Sequence, residues 1–121
     1  MTHYMKLNPE PFSKIVSRKK TIELRLYDEK RKKVKPGDHI VFSKTNHADQ
    51  SITVEVESII VAQTFKELFT LISLIECGYQ EDEINGNNHI DLDRYYSKEE
   101  QAKHKVVGIR FHLISETNNQ P

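Results

Sequence analysis

The sequence has no tryptophan, one cysteine, four glycines and four prolines in 121 residues, and its formal net charge is zero. Each shortage excludes something. A lone cysteine, Cys77, cannot close an internal disulfide, so nothing in the chain requires an oxidising compartment. It follows an apolar run beside Gly78, outside any Cys/His motif, and reads as an inert thiol rather than a nucleophile. The four glycines form neither a phosphate-cradling loop nor a nucleophile elbow. No apolar run approaches the roughly 20 residues that cross a bilayer. The opening MTHYMKLNPE lacks the apolar centre of a secretory signal. These absences point to a soluble cytoplasmic protein with no membrane partner. Six histidines (3, 39, 47, 89, 104 and 112) show no ligand spacing with one another, with Cys77 or with acids, so neither a metal nor a cofactor is indicated.

The zero net charge hides an asymmetry. From Lys14 to Pro36 there are ten Lys/Arg and three acids, a net +7. From Gly37 to Pro121 there are seven Lys/Arg and fourteen acids, a net −7. A basic stripe on an otherwise acidic domain is an electrostatic footprint that a pI near 7 conceals. A merely solvated lysine-rich surface accounts for the same count equally well.

The length suits a single domain over residues 1–121. His3–Leu7 reads as a short strand, ended by Asn8-Pro9-Glu10-Pro11. Asn8 is placed to cap a helix with Pro9 in its first turn, and Phe12, Ile15 and Val16 carry that helix to about Arg18. Thr21–Tyr27 (TIELRLY) alternates: Ile22, Leu24 and Leu26 point one way, and Thr21, Glu23, Arg25 and Tyr27 the other. Pro36-Gly37-Asp38 is a turn signature before the strand His39–Ser43. Lys44–Gln50 reads as a polar loop. Ser51–Ala62 is β-rich, with a pattern change before Ile59 that suggests a bulge or bend.

Thr64 and Glu67 fit a capping box, opening a helix whose apolar side runs through Phe65, Leu68, Phe69, Leu71, Ile72 and Ile75 and which ends near Gly78. Asp91–His104 is helical in composition, with a second start at Ser97-x-x-Glu100. Lys105–Ile114 closes as a strand, and the final ETNNQP is expected to fray. The order β-α-β-β-β-α-α-β predicts an α+β domain, a small and mainly antiparallel barrel with flanking helices.

The run Lys20-Thr21-Ile22-Glu23-Leu24-Arg25, then Lys30-Arg31, then Lys35-Pro36-Gly37-Asp38-His39-Ile40-Val41-Phe42 resembles the ASCH domain family of the PUA-like superfamily. Pro11–Val16 resembles the helix before that motif, and Val106-Val107-Gly108-Ile109 the last strand. The match is densest over residues 11–42. One departure is local: the family often has glycine where the helix turns into the strand, and here that zone reads Ser17-Arg18-Lys19.

The resemblance implies a PUA-like β-barrel with a cleft lined by motif residues. It also implies an RNA, nucleotide or nucleoside ligand bound in a basic cleft around Lys20–Arg25. Within that frame, Lys20 offers a phosphate contact or, if desolvated, a general base. Glu23 and Arg25 lie two apart on one strand face, so Arg25 can grip a phosphate or carbonyl edge while Glu23 orients it or accepts a proton. Thr21 adds a hydroxyl, Tyr27 a stacking face (ahead of Tyr96 in the pair Tyr95-Tyr96), and Lys30 and Arg31 a clamp on backbone phosphates. Asp28 reads equally as a cap for the turn, and Lys32, Lys33 and Lys35 as general electrostatic surface.

The alternative is an enzyme. One branch of the family is a small amidohydrolase acting on N4-acetylcytidine, in which a Lys-Thr-x-Thr-x-Arg strand carries a threonine nucleophile. Lys20, Thr21 and Arg25 match that strand, but Glu23 stands at the nucleophile position. A carboxylate cannot take over acyl transfer from a hydroxyl without a different intermediate. As an enzyme the chain would draw on Lys20, Thr21 and Glu23. Ribonuclease activity is also a property within the family. Binding is the favoured expectation.

Overall fold

The structure is a computed structural model and describes residues 1–118. The chain runs β1 (Thr2–Leu7), α1 (Pro9–Val16), β2 (Ile22–Leu26), β3 (His39–Lys44), β4 (His47–Ala62), α2 (Phe65–Leu68), α3 (His89–Asp93), α4 (Lys98–His104) and β5 (Val106–Asn118). Single 3-10 turns lie at Arg31–Lys33 and Glu81–Glu83. One five-stranded sheet has the order β1-β3-β4-β5-β2, with β1 parallel to β3 and the other pairs antiparallel. It curls into an open half-barrel, the α+β, PUA-like architecture expected from the sequence. No helix among the described residues is long and apolar enough to cross a membrane.

Side chains alternate across a strand, so the curled sheet has two covered faces. The concave face holds a core built on Met5, Ile40, Phe42, Val54, Val107, Ile109 and Phe111, closed by Phe12 and Ile15 of α1. The outer face of β2 carries Ile22, Leu24 and Leu26 under Phe65, Leu68 and Ile72. Glu23 pairs with Ile109 and Arg25 with Val107, so both charged residues sit on the concave, core-bearing face. The alternation in TIELRLY therefore separates two buried faces rather than a buried face from a wet one.

Helix α1 ends in a Schellman motif. The Lys19 N–H donates to the Lys14 carbonyl and the Arg18 N–H to that of Ile15. Arg18 takes the left-handed position, with φ 63°, that glycine usually fills in this motif. The turn missing its glycine is thus made by an arginine. At the other end of α1, Asn8 sits at the cap position, but its side chain accepts from the Thr45 hydroxyl instead of capping the helix.

The Pro36-Gly37-Asp38 turn is fixed by Asp38, whose carboxylate accepts the Lys35 N–H and lies 2.8 Å from the buried His3 Nε2. Those contacts, the His3 hydrogen bond first, bring the Asp38 pKa down to about 2.

Three expectations need correction. The polar loop at 44–50 is a tight turn at Thr45-Asn46, with Asn46 at φ 64°, and β4 begins at His47. The helix expected through Gly78 is one turn: beyond Leu68 the chain passes into turns in which the Thr70 N–H and hydroxyl both donate to the Glu67 carbonyl and the Leu71 N–H to that of Leu68, and Leu71 and Ile75 are exposed. At the C-terminus, Glu116, Thr117 and Asn118 are not frayed but pair with Ile52, Ser51 and Gln50, while 119–121 lie outside the described residues. The bulge in β4 is present as a register shift between Val56 and Ser58, and the Ser97/Glu100 capping box forms with both reciprocal bonds.

Candidate functional site

Strand β2 is five residues long and lies at one edge of the sheet, opposite β1 across the mouth of the half-barrel. Here Lys20, Glu23 and Arg25 converge. The Glu23 carboxylate is buried, at 5% exposure, and carries four contacts. Its Oε1 accepts the Leu24 N–H at 3.2 Å and lies 3.3 Å from the Lys20 ammonium. Its Oε2 accepts Arg25 Nε–H at 2.9 Å and Nη2–H at 2.7 Å.

Burial alone would raise the Glu23 pKa. The Lys20 and Arg25 charges, with the hydrogen bonds from Arg25 and Leu24, outweigh that effect and hold it below its ordinary value. Glu23 is therefore a carboxylate at neutral pH, with its four lone-pair positions engaged.

The cations have capacity to spare. Lys20, itself buried, gives one N–H to the Cys77 carbonyl at 3.1 Å and faces Glu23, which leaves a third donor. Arg25 spends Nη2 on Glu23 and on the Lys6 carbonyl of β1 at 2.8 Å, and its Nη1 has no partner among the described residues. Sequence reasoning overlooked the anchors of these lysines, because backbone carbonyls leave no side-chain signal. Lys14 donates to the Gly78 carbonyl at 3.0 Å just as Lys20 donates to that of Cys77. Gly78, at φ 100°, lies against both chains: a Cβ there would stand 3.3 Å from Lys14 Cδ.

A cleft opens over this group. One part, about 300 Å³, is bounded by Lys14, Lys20, Glu23, Gly78, Tyr79, Asp91 and Tyr95. The adjoining part, about 390 Å³, is bounded by Lys6, Asn8, Glu23, Arg25, Tyr95 and Tyr96. Both fall in the size range of small-molecule sites. Its charge is balanced rather than basic, since Glu10, Glu23, Glu83 and Asp91 offset Lys6, Lys14, Lys20 and Arg25. Tyr79 donates its hydroxyl to Asp91, and burial raises its pKa. Tyr95 is 76% exposed at the mouth. Tyr96 stacks on Phe65 at 5.6 Å between ring centroids, and burial raises its pKa.

The remaining candidates lie elsewhere. Thr21 precedes the strand and lines a neighbouring groove, with its N–H bonded to the Glu76 carbonyl. Tyr27 packs against the concave core, and the cleft's aromatics are Tyr79, Tyr95 and Tyr96. Arg31 is held by Asp28 at 3.0 Å, and Asp28 also accepts the Arg31 N–H as a turn cap. Lys30 is exposed in the same turn, and Lys32 pairs with Glu29. Burial pushes the Cys77 thiol up to about 12. Among the described residues no group of three or more His, Cys, Asp or Glu is placed to hold a metal.

No curated protein matches the sequence. Among solved structures, the crystal structure of a hypothetical protein, PH0355, is 33% identical over 94% of this chain and 100% of its own, with a TM-score of 0.78. The solution structure of protein PF0455 from Pyrococcus furiosus is also 33% identical, over 95% of this chain and 99% of its own, with a TM-score of 0.69. An ASCH protein from Zymomonas mobilis shares the fold at 19% identity and a TM-score of 0.64, covering 98% of this chain and 73% of its own. The family model for the ASCH domain matches residues 5–115, and the chain belongs to that family.

Proposed function

We propose that this protein is an RNA- or nucleotide-binding module, and that the cleft over Lys20, Glu23 and Arg25 is its binding site. Membership of the ASCH domain family, with its PUA-like fold, is consistent with RNA binding. The observation that carries the finer reading is the saturation of Glu23. With its lone-pair positions taken by Lys20, Leu24 and Arg25, the carboxylate serves to orient its neighbours rather than to contact a ligand. What the cleft floor then offers is unspent N–H donors on Lys20 and Arg25. Such a floor suits acceptor atoms, namely the carbonyl edge of a base or a phosphate oxygen. Exposed Tyr95 at the mouth supplies a face on which a base can stack.

The same saturation weighs against hydrolysis by this strand. Glu23 stands where the amidohydrolase-like strand carries its nucleophile, and its ion pairs hold it ionised and occupied. Thr21, the other hydroxyl candidate, lines the adjoining groove and not the cleft over Glu23.

The test is to incubate the purified protein with N4-acetylcytidine and with a short single-stranded RNA, following both by mass-resolved chromatography. An Arg25→Lys variant, checked for folding by circular dichroism, runs alongside. Retention of intact RNA by the wild type, weakened in the variant and by salt, supports the module. Product formed by the wild type and not by the variant overturns it in favour of an enzyme.

A further inference from the structure

A second groove adjoins the cleft. It has a volume of about 490 Å³, is bounded by Lys14, Arg18, Lys19, Thr21, Glu76 and Tyr79, and shares Lys14, Gly78 and Tyr79 with the cleft. The two differ in charge. The inner cleft sets Glu10, Glu23, Glu83 and Asp91 against Lys14 and Lys20. In the groove, Glu76 is already paired with Arg110 at 3.0 Å, and the exposed Glu81 at its rim is outnumbered by Arg18 and Lys19, which are exposed and have no ionic partner among the described residues. In the lysine-rich turn beyond β2, Arg31 and Lys32 are held by Asp28 and Glu29, and the exposed Lys30, Lys33 and Lys35 line neither the groove nor the cleft. Arg18 also occupies a left-handed position where an arginine is strained and glycine is not.

We infer that this groove is the phosphate subsite of the same site: an uncharged base enters the cleft, and its phosphate lies over the Lys14 shelf against Arg18 and Lys19. The inference rests on the nucleotide reading of the cleft. The spare donors of Lys20 and Arg25 suit either acceptor, but a cleft of balanced charge with four carboxylates around it favours an uncharged carbonyl edge over a phosphate carrying its full negative charge. A phosphate on the exposed rim gains Coulomb attraction from two uncommitted cations at little desolvation cost. The basic stripe is thereby divided, with the end nearest α1 meeting the ligand.

The test is a protein-observed NMR titration at low salt with the four ribonucleosides and their 5′-monophosphates. It uses the wild type, an Arg18→Gly/Lys19→Ala variant and a Lys32→Ala/Lys33→Ala/Lys35→Ala variant. Glycine is chosen at position 18 because it relieves the backbone, so the double variant remains folded. For the preferred base, the monophosphate is expected to bind about tenfold more tightly than the nucleoside. The double variant is expected to lose that increment while keeping the nucleoside affinity, and the triple variant to keep both. An increment that survives in the double variant, or disappears in the triple one, overturns the phosphate assignment and leaves the base cleft standing. Absence of binding by all eight compounds overturns the cleft reading as well.

Discussion

Arg25 Nη2 donates to the Lys6 carbonyl at 2.8 Å and so ties β2 to β1, the two open edges of the half-barrel. The same nitrogen donates to Glu23 at 2.7 Å. One guanidinium therefore closes the sheet, neutralises a buried carboxylate and leaves Nη1 for the cleft.

Removing the guanidinium should cost stability as well as binding. Arg25→Met leaves the 5%-exposed Glu23 with Lys20 as its sole cation. Breaking such a buried pair costs about 3–5 kcal/mol, read as a lower urea midpoint. Adding Glu23→Gln removes the orphaned charge, so the double variant should be more stable than the sum of the single effects allows. Additive single effects would mean that the pair is not coupled.

Two strained backbone positions offer stabilisation. Arg18 has φ 63°, and Lys105 has φ 65° with ψ −177°, a region that is nearly glycine's alone. Arg18→Gly and Lys105→Gly should each raise the unfolding free energy by about 1 kcal/mol with an unchanged denaturant slope. The Arg18 variant should at the same time bind nucleotide phosphate less well, so stability and binding move in opposite directions.

The Cys77 thiol, with its pKa pushed up to about 12, holds almost no thiolate at neutral pH. Iodoacetamide should leave it unmodified in the folded protein. Labelling should appear with the urea transition and at the rate of unfolding. Fast labelling without denaturant would show that the segment around Gly78, which anchors Lys14 and Lys20, opens independently.

The pH dependence of stability should be that of depressed carboxylates. Asp38 falls from 3.8 to about 2 on folding, and Glu23 is lowered from 4.5. Both therefore stabilise the fold fully above about pH 5, and that stabilisation is lost as the pH falls through the folded-state values. Asp38→Asn should lower stability at pH 7 and flatten the acid limb between pH 4 and 2. An unchanged limb would mean that His3 and the Lys35 N–H do not hold the charged form.

Much of the frame was legible from local pattern. The alternation in TIELRLY located β2, Ser97 and Glu100 located the start of α4, and the pattern change before Ile59 located the register shift. The missing glycine after α1 marked the place where Arg18 takes a left-handed conformation. The cleft was legible on one side only. Lys20, Glu23 and Arg25 were readable because they share a strand. Glu83 comes from a polar stretch without regular pattern, and Asp91 and Tyr95 from a segment legible as helical, but neither reading shows that long-range packing brings them over β2. The expectation of a basic cleft failed for that reason: charge counted along the chain does not show which acids the fold brings opposite. Tyr27 was misjudged because strand alternation assigns a face, and the face it shares with Glu23 is the core side.

The most direct measurement is amide chemical-shift mapping of the isotopically labelled protein on titration with a short single-stranded RNA. Perturbation concentrated at Lys20–Arg25, Cys77–Tyr79 and Leu92–Tyr96, extending to Arg18 and Lys19, is the expected result. Perturbation confined to Lys30–Lys35, with the cleft amides unmoved, would contradict the assignment of the cleft as the binding site.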